Sequence, residues 1–121
     1  MLVLALCWPR LFYPFVWGSV FLVVEPLNVW LGNRSLVEGT RRGDWRAVFN
    51  LFVGVLVTGF FWEMWNYLSF PKWIYHVAWG NWLHIFEMPL LGYGGYLPFS
   101  LELYAVYHLL ARLFGDRSPD F

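Results

Sequence analysis

The stretch AVFNLFVGVLVTGFFWEMWNYL, residues 47–68, decides the fold of this chain. Its ionisable side chains are Glu63 and Tyr67, and both lie near its end. At a rise of about 1.5 Å per residue, a helix of this length extends over about 33 Å, and the hydrocarbon core of a bilayer is about 30 Å thick. The stretch therefore predicts a transmembrane helix.

The composition extends this prediction to the whole chain. Of its 121 residues, 60% are hydrophobic, 23% are aromatic and 13% are charged. A soluble domain carries about 25% charged residues, about twice the fraction in this chain. The chain therefore has too few charged residues to cover the surface of a protein in water. The 9 Trp and 7 Tyr residues suit membrane interfaces. The composition argues against a soluble enzyme, and a net charge of zero argues against a nucleic-acid-binding protein.

Two more spans are predicted, over residues 11–31 and 89–111. Pro89 suits the first turn of the latter span, since a proline lacks the N–H that would be unpaired there. A shorter span over 97–114 is an alternative boundary. Glycines and a proline inside the span predict a kink or a close helix approach; they are Gly92, Gly94, Gly95 and Pro98.

The segment between the second and third spans, residues 69–86, is too polar for lipid and too aromatic for a free loop. It predicts an interfacial or re-entrant segment. The expected fold class is an all-α integral membrane protein, a single transmembrane domain with three transmembrane helices and this aromatic segment between the second and third.

The basic residues predict the orientation. Six of the eight basic residues fall on one side of a three-span chain; they are Arg34, Arg41, Arg42, Arg46, Arg112 and Arg117. Cytoplasmic loops carry an excess of Lys and Arg, so loop 32–46 and the C terminus are expected in the cytoplasm, with the bacterial inner membrane as the expected location. A fourth span over 73–92 would divide the basic residues evenly and bury two histidines and an asparagine.

Acidic side chains are the unusual feature of the predicted spans. Glu25, Glu63 and Glu102 lie inside the spans and Glu87 lies at the mouth of the third, and no basic residue is expected beside them. An ionisable residue within a membrane is expensive and tends to be functional. The alternative is that each carboxyl group hydrogen-bonds a neighbouring helix as structural glue. Glu63, Glu87 and Glu102 are predicted to converge in the outer half, whereas Glu25 is expected to be glue or to pair with Asn28.

Helical spacing places Gly59, Glu63, Asn66 and Tyr67 on one face of the second span. That face has a small notch and three polar groups. Aromatic residues nearby are expected to contact lipid, a polyene or a partner protein; they are Trp62, Trp65, Tyr67, Tyr93 and Tyr96.

A metal site is not predicted, although His76, His84 and Glu87 would share a broad face if their segment were helical. Nitrogen and oxygen ligands of this kind suit Zn or Fe. The spacing matches no strong motif, and interfacial histidines are the expected alternative.

The layout resembles the small membrane subunits of the heterodimeric bacterial lycopene cyclases. The features that carry the resemblance lie in the last half of the chain: Trp62-Glu63 ending a span, an aromatic loop with Pro71, Glu87 before Pro89, Pro98 within a span, and the tyrosines at 104 and 107. The family has paired acids after a proline where this chain has Glu87-Met-Pro. The resemblance implies a carotenoid substrate, with Glu87 and Glu63 as candidate acids; Glu102 has no counterpart.

Two functions are therefore expected as alternatives. One is a noncatalytic accessory subunit of a larger bioenergetic or pigment-bearing membrane complex, in contact with lipids and other subunits. The other is an isoprenoid- or carotenoid-acting membrane enzyme that uses Glu87, Glu63 and Glu102 as general acid and base. No cofactor is predicted, although a bound carotenoid or other isoprenoid suits either function. Proton movement along the carboxyl groups is a third, weaker expectation.

Overall fold

A computed structural model describes residues 2–12, 16, 18–76, 80 and 82–115. These residues are predominantly helical, with one short antiparallel hairpin in which His84 pairs with Pro89 and Ile85 with Met88. The helices are α1 (Leu2–Cys7), α2 (Pro9–Phe12), α3 (Ser19–Leu31), α4 (Leu36–Arg41), α5 (Arg46–Leu68), α6 (Leu90–Tyr93) and α7 (Tyr96–Leu113), and the strands are β1 (His84–Ile85) and β2 (Met88–Pro89).

Helix α5 is the one helix in the described parts of the chain that is long and apolar enough to cross a membrane. Its 23 residues extend over about 35 Å. Helix α3 is apolar but has 13 residues, about 20 Å, and residues 13–15 and 17 of the predicted first span lie outside the described residues. Length and composition thus support one span, and the three-span arrangement stays a prediction.

Helix α7 is the central element, because it packs along both α3 and α5. The chain turns at Gly94 and Gly95 between α6 and α7, so the third helix is broken where its glycines are concentrated. Helix α7 therefore begins at Tyr96, close to the shorter of the two predicted boundaries. The notch at Gly92 is filled by Met88, whose Cγ would be 2.9 Å from a Cβ placed there.

Burial in these helices is the reverse of that in a soluble protein. The buried polar residues are Glu25, Asn28, Glu63, Asn66, Ser100 and His108, whereas most large apolar side chains of α3, α5 and α7 are exposed. A soluble protein buries such apolar groups and exposes acids. An apolar exterior around a polar interior instead suits a chain surrounded by lipid or by other apolar protein surfaces.

The arginine-rich segment 32–46 is predicted to be a loop, but the structure shows a short helix, α4, within it. The Ser35 hydroxyl accepts a hydrogen bond from the Glu38 N–H at 3.2 Å and so caps the N terminus of this helix. Ser followed by Glu three residues later is a helix-start signal. Glycines and charged residues surround this signal, and they favour the prediction of a loop over that of a helix.

The described residues of 69–86 form an irregular segment that ends in the hairpin and contain no helix. The helical face that would have joined His76, His84 and Glu87 is therefore absent. His76 is exposed in the irregular part, and His84 is exposed in β1.

Candidate functional site

The candidate site is the buried polar face of α5 and the groups that cover it. Gly59, Glu63 and Asn66 are the buried residues of this helix, and their spacing of four and three places them on the same side. Three of the four residues expected on this face are thus buried together. The fourth, Tyr67, is half exposed.

Two tyrosine hydroxyls donate hydrogen bonds to the same oxygen of Glu63. The Tyr96 hydroxyl lies 2.7 Å from Glu63 Oε1, and the Tyr75 hydroxyl lies 3.0 Å from it. Glu63 is fully buried, and its other oxygen, Oε2, has no hydrogen-bond partner among the described residues. One carboxyl group therefore joins α5 to α7 and to the loop that follows α5.

Gly59 allows Tyr96 to reach Glu63. A Cβ at position 59 would lie 2.9 Å from Cε2 of the Tyr96 ring, closer than real Cβ contacts. The ring thus occupies the notch one turn before the acid. Tyr93 is buried beside it, with ring centroids 5.9 Å apart, and its hydroxyl lies 3.4 Å from the Ile85 carbonyl oxygen.

Asn66 attaches the same loop through a reciprocal pair of hydrogen bonds. Its Nδ2 donates to the Trp73 carbonyl oxygen at 2.9 Å, and the Trp73 N–H donates to its Oδ1 at 2.7 Å. Burial and the hydrogen bond to Glu63 raise the pKa of Tyr75 to about 12. The polar face of α5 therefore binds the loop that follows this helix. Local spacing did not identify Tyr75 or Trp73 as its partners.

Glu87 does not join Glu63. It forms an ion pair with Lys72, whose ammonium group also lies 5.1 Å from the centroid of the Tyr67 ring. The expectation that Glu87 has no basic neighbour is wrong, because the loop folds back and brings Lys72, 15 residues away, onto it. The Glu87 carboxylate is therefore already paired with a cation of this chain.

Glu102 is half-buried on α7, and its Oε2 is buried with no hydrogen-bond partner within the described ranges. These ranges contain no group of three or more His, Cys, Asp and Glu residues that could hold a metal ion. The predicted convergence of Glu63, Glu87 and Glu102 is therefore not observed. Trp62 and Trp65 point outward, 57% and 63% exposed, and their contact with lipid, a polyene or a partner stays a prediction.

A second buried acid binds the loop that follows its own helix. Glu25 Oε1 accepts hydrogen bonds from the Ser35 hydroxyl at 2.8 Å and the Val37 N–H at 2.9 Å. This geometry supports the glue interpretation of Glu25, with Ser35 as a partner that was not predicted. Glu25 Oε2 is also without a partner in the parts of the chain that the structure describes.

Asn28 completes this second site. Its Nδ2 donates to the Ala105 carbonyl oxygen of α7 at 2.8 Å, and its Oδ1 accepts from Asn33 Nδ2 at 2.9 Å. The pattern Glu-x-x-Asn thus occurs in α3 and α5, and in both helices it joins the following loop and α7. This repeated pattern is a sequence signal that the individual acids did not reveal.

His108 lies beside two tyrosine rings of its own helix. It is buried on α7, with ring-centroid distances of 4.3 Å to Tyr104 and 5.2 Å to Tyr107. Its Nδ1 lacks a hydrogen-bond partner among the residues described.

No protein-family model matches the chain, and no curated protein or solved structure is significantly similar to it. The resemblance to lycopene cyclase subunits thus rests on the residues quoted for it. Within that resemblance, Trp62 is exposed and Glu63 is buried, so the two members of the Trp-Glu pair face different surroundings.

Proposed function

We propose that this chain is a noncatalytic accessory subunit of a larger bioenergetic or pigment-bearing membrane complex. In this proposal α3, α5 and α7 belong to three spans, and loop 32–46 and the C terminus lie on the cytoplasmic side of a bacterial inner membrane. The reversed burial supports it. Polar groups are engaged by the chain's own loops and helices, and the large apolar side chains remain on the outside.

The outer face of α5 favours a protein neighbour over lipid alone. Asn50, Gly54 and Thr58 follow one another at four-residue spacing on the exposed side of this helix. No atom of the described residues lies within 4 Å of a Cβ placed at Gly54, so the helix presents an open notch. Small residues at this spacing allow helix backbones to approach closely, and an amide inside an apolar helix is stabilised by a partner on a neighbouring helix.

The carotenoid-acting enzyme is the second candidate, and one observation supports it. Glu63 is surrounded by Tyr75, Tyr93 and Tyr96, and its Oε2 is unengaged within the described residues. Tyrosine rings stabilise cations by about 0.5–2 kcal/mol each, which suits a protonated polyene. In this candidate Glu63 is the acid and a bound isoprenoid is the ligand, whereas Glu87 is the weaker choice because of its ion pair with Lys72.

The test is the size of the complex in mild detergent. We expect the chain from its native membrane to migrate with a larger complex on native electrophoresis, and Gly54→Leu to release it because the new side chain fills the notch. Val53→Leu is the matched control, since it adds one methylene at a neighbouring exposed position away from this stripe. Migration of the unaltered chain as a monomer or homodimer would contradict the accessory role.

A second assay separates the two candidates. The chain is expressed in a host that accumulates lycopene, beside Glu63→Gln, and the pigments are extracted and separated. The accessory role predicts the same pigments in both cultures. Cyclised products that disappear in Glu63→Gln would instead establish the enzyme.

A further inference from the structure

An open groove lies where the arginine-rich segment meets the beginning of α5. Its volume is about 660 Å³, and its lining includes Arg42, Trp45, Arg46, Phe49 and Asn50. The charged side chains of the lining come from the end of the arginine-rich segment, Arg42 to Arg46. Phe49 and Asn50 come from the beginning of α5, so the groove combines charged and apolar groups.

The charges of the groove favour an anion. Arg46 donates two side-chain hydrogen bonds to Asp44, from Nε and Nη2 at 3.0 Å each, and its N–H is 3.1 Å from the same carboxylate. These bonds lower the pKa of Asp44, so its negative charge is already matched. Within the described residues, the Arg42 guanidinium has a weak ion pair with the exposed Glu38 carboxylate, at 3.6 Å, and its Nε donates to the Glu38 carbonyl oxygen at 3.3 Å. Exposed pairs of this kind are weak, so the Arg42 guanidinium can take another partner.

The aromatic side chains distinguish a lipid from a free anion. Trp45 is the N-cap residue of α5 and Phe49 follows one turn later, so the two residues are close, and both are largely exposed. Trp favours the region between headgroups and acyl chains. A free phosphate ion has no apolar part for Phe49 to contact. In a phospholipid, the glycerol and the first acyl carbons provide one.

We propose that this groove binds the phosphate of an anionic phospholipid headgroup, with Arg42 at the phosphate, Arg46 holding the Asp44 carboxylate neutralised beside it, and Trp45 and Phe49 against the glycerol and acyl carbons. Guanidinium groups suit phosphate because their planar N–H groups match two of its oxygens. Such a site requires that α5 spans the bilayer. It does not require the accessory role.

The test uses the purified full chain in nanodiscs that contain equal amounts of phosphatidylglycerol and phosphatidylcholine. Lipids that remain bound after release of the protein into the gas phase are counted by native mass spectrometry. We expect preferential retention of phosphatidylglycerol, reduced about fivefold by Arg42→Gln, the scale of one arginine near an anionic membrane surface. Arg46→Gln is expected to act in the same direction, because it leaves the negative charge of Asp44 unmatched in the groove. Arg41→Gln is the matched control, because it removes the same charge from the same loop but does not line the groove.

The outcomes separate a site from a general attraction. A change of less than twofold in retained phosphatidylglycerol in Arg41→Gln supports a specific site in the groove. An equal loss in Arg41→Gln and Arg42→Gln overturns the proposal, because it shows a general attraction to the positive charge of the segment. Equal retention of both lipids overturns it as well. Displacement of phosphatidylglycerol by millimolar inorganic phosphate would show that the anion alone is recognised and would refute the lipid assignment. Failure of the chain to enter nanodiscs would overturn the membrane placement and the proposed function together.

Discussion

The hydrogen bonds on Glu63 predict a specific pattern of stabilities in a double-mutant cycle. Tyr96→Phe and Tyr75→Phe each remove one hydroxyl from Glu63 Oε1 and leave the rings in place. Hydrogen bonds inside membrane proteins contribute about 0.6 kcal/mol on average and up to about 1.7 kcal/mol. The shorter bond, from Tyr96, should lie near the upper value, and the bond from Tyr75 should contribute about 1 kcal/mol.

The double variant should lose more than the sum of the two single losses. Glu63 is fully buried, and either tyrosine alone still satisfies Oε1. Without both, the carboxyl group has no donor, and an unsatisfied buried polar group costs about 1–3 kcal/mol. We therefore expect a coupling energy of about 1 kcal/mol between the two tyrosines, which is typical of residues that share one partner.

A third substitution should change the free energy of unfolding in the opposite direction. In the double-variant background, Glu63→Leu removes the unsatisfied carboxyl group, so it should raise the free energy of unfolding instead of lowering it. Replacement of all members of a buried polar contact by apolar groups is nearly neutral, whereas removal of one side is costly. In the unaltered chain the same Glu63→Leu substitution should destabilise, because it leaves two tyrosine hydroxyls without their acceptor.

The assay is reversible unfolding in mixed micelles by titration with dodecyl sulfate, followed by circular dichroism. Tyr67→Phe is the matched control, since it removes a hydroxyl from a half-exposed tyrosine on α5, the helix of Glu63. It should change the free energy of unfolding by less than about 0.5 kcal/mol. Strictly additive losses, or a further loss on Glu63→Leu in the double-variant background, would refute the shared-acceptor interpretation.

Three further predictions follow from the same contacts. Gly59→Ala should destabilise the chain by about 1–3 kcal/mol because its Cβ meets the Tyr96 ring, whereas Gly54→Ala, in open space, should not; equal effects in the same unfolding assay would contradict the notch. Ser35→Ala should cost about 1–2 kcal/mol through the lost cap of α4 and the lost bond to Glu25, and Ser35→Thr should recover most of it, an expectation that fails if both variants behave alike. The pKa of Tyr75, raised to about 12, lies above the ordinary value of about 10, so its contribution to stability is present below pH 10 and is lost as the pH rises towards 12; absorbance at 295 nm should show this late titration and its absence in Tyr75→Phe.

Local patterns predicted α5 and the residues that it buries. A helix of residues 47–68 was expected and Arg46–Leu68 is observed, because both length and face depend on spacing within one segment. The spacing that places Gly59, Glu63 and Asn66 together is equally local. Helix α7 was predicted less well, since Gly94 and Gly95 signal a break without locating the restart of the helix.

Partners from distant or irregular segments could not be predicted in this way. Tyr75 lies 12 residues after Glu63 in a segment without periodicity, and the conformation of that segment alone decides that its hydroxyl reaches the acid. Lys72 reaches Glu87 for the same reason. Ser35 could have been found as a cap, but its second role as a donor to Glu25 depends on how loop 32–46 returns to α3.

The repeated Glu-x-x-Asn pattern favours the structural interpretation of the buried acids over a chemical one. Helices surrounded by lipid gain little from apolar contact with each other, so polar contacts have to specify which groups pack together. Glu25 with Asn28 does so on α3 and Glu63 with Asn66 on α5, and each pair fastens the loop that follows its helix and contacts α7. A catalytic acid needs one specialised environment, whereas these two acids have the same neighbours in kind: a hydroxyl donor, an asparagine three residues later and a returning loop. The same arrangement on both helices is what the fixing of loops requires, and it leaves most large apolar side chains of α3 and α5 exposed.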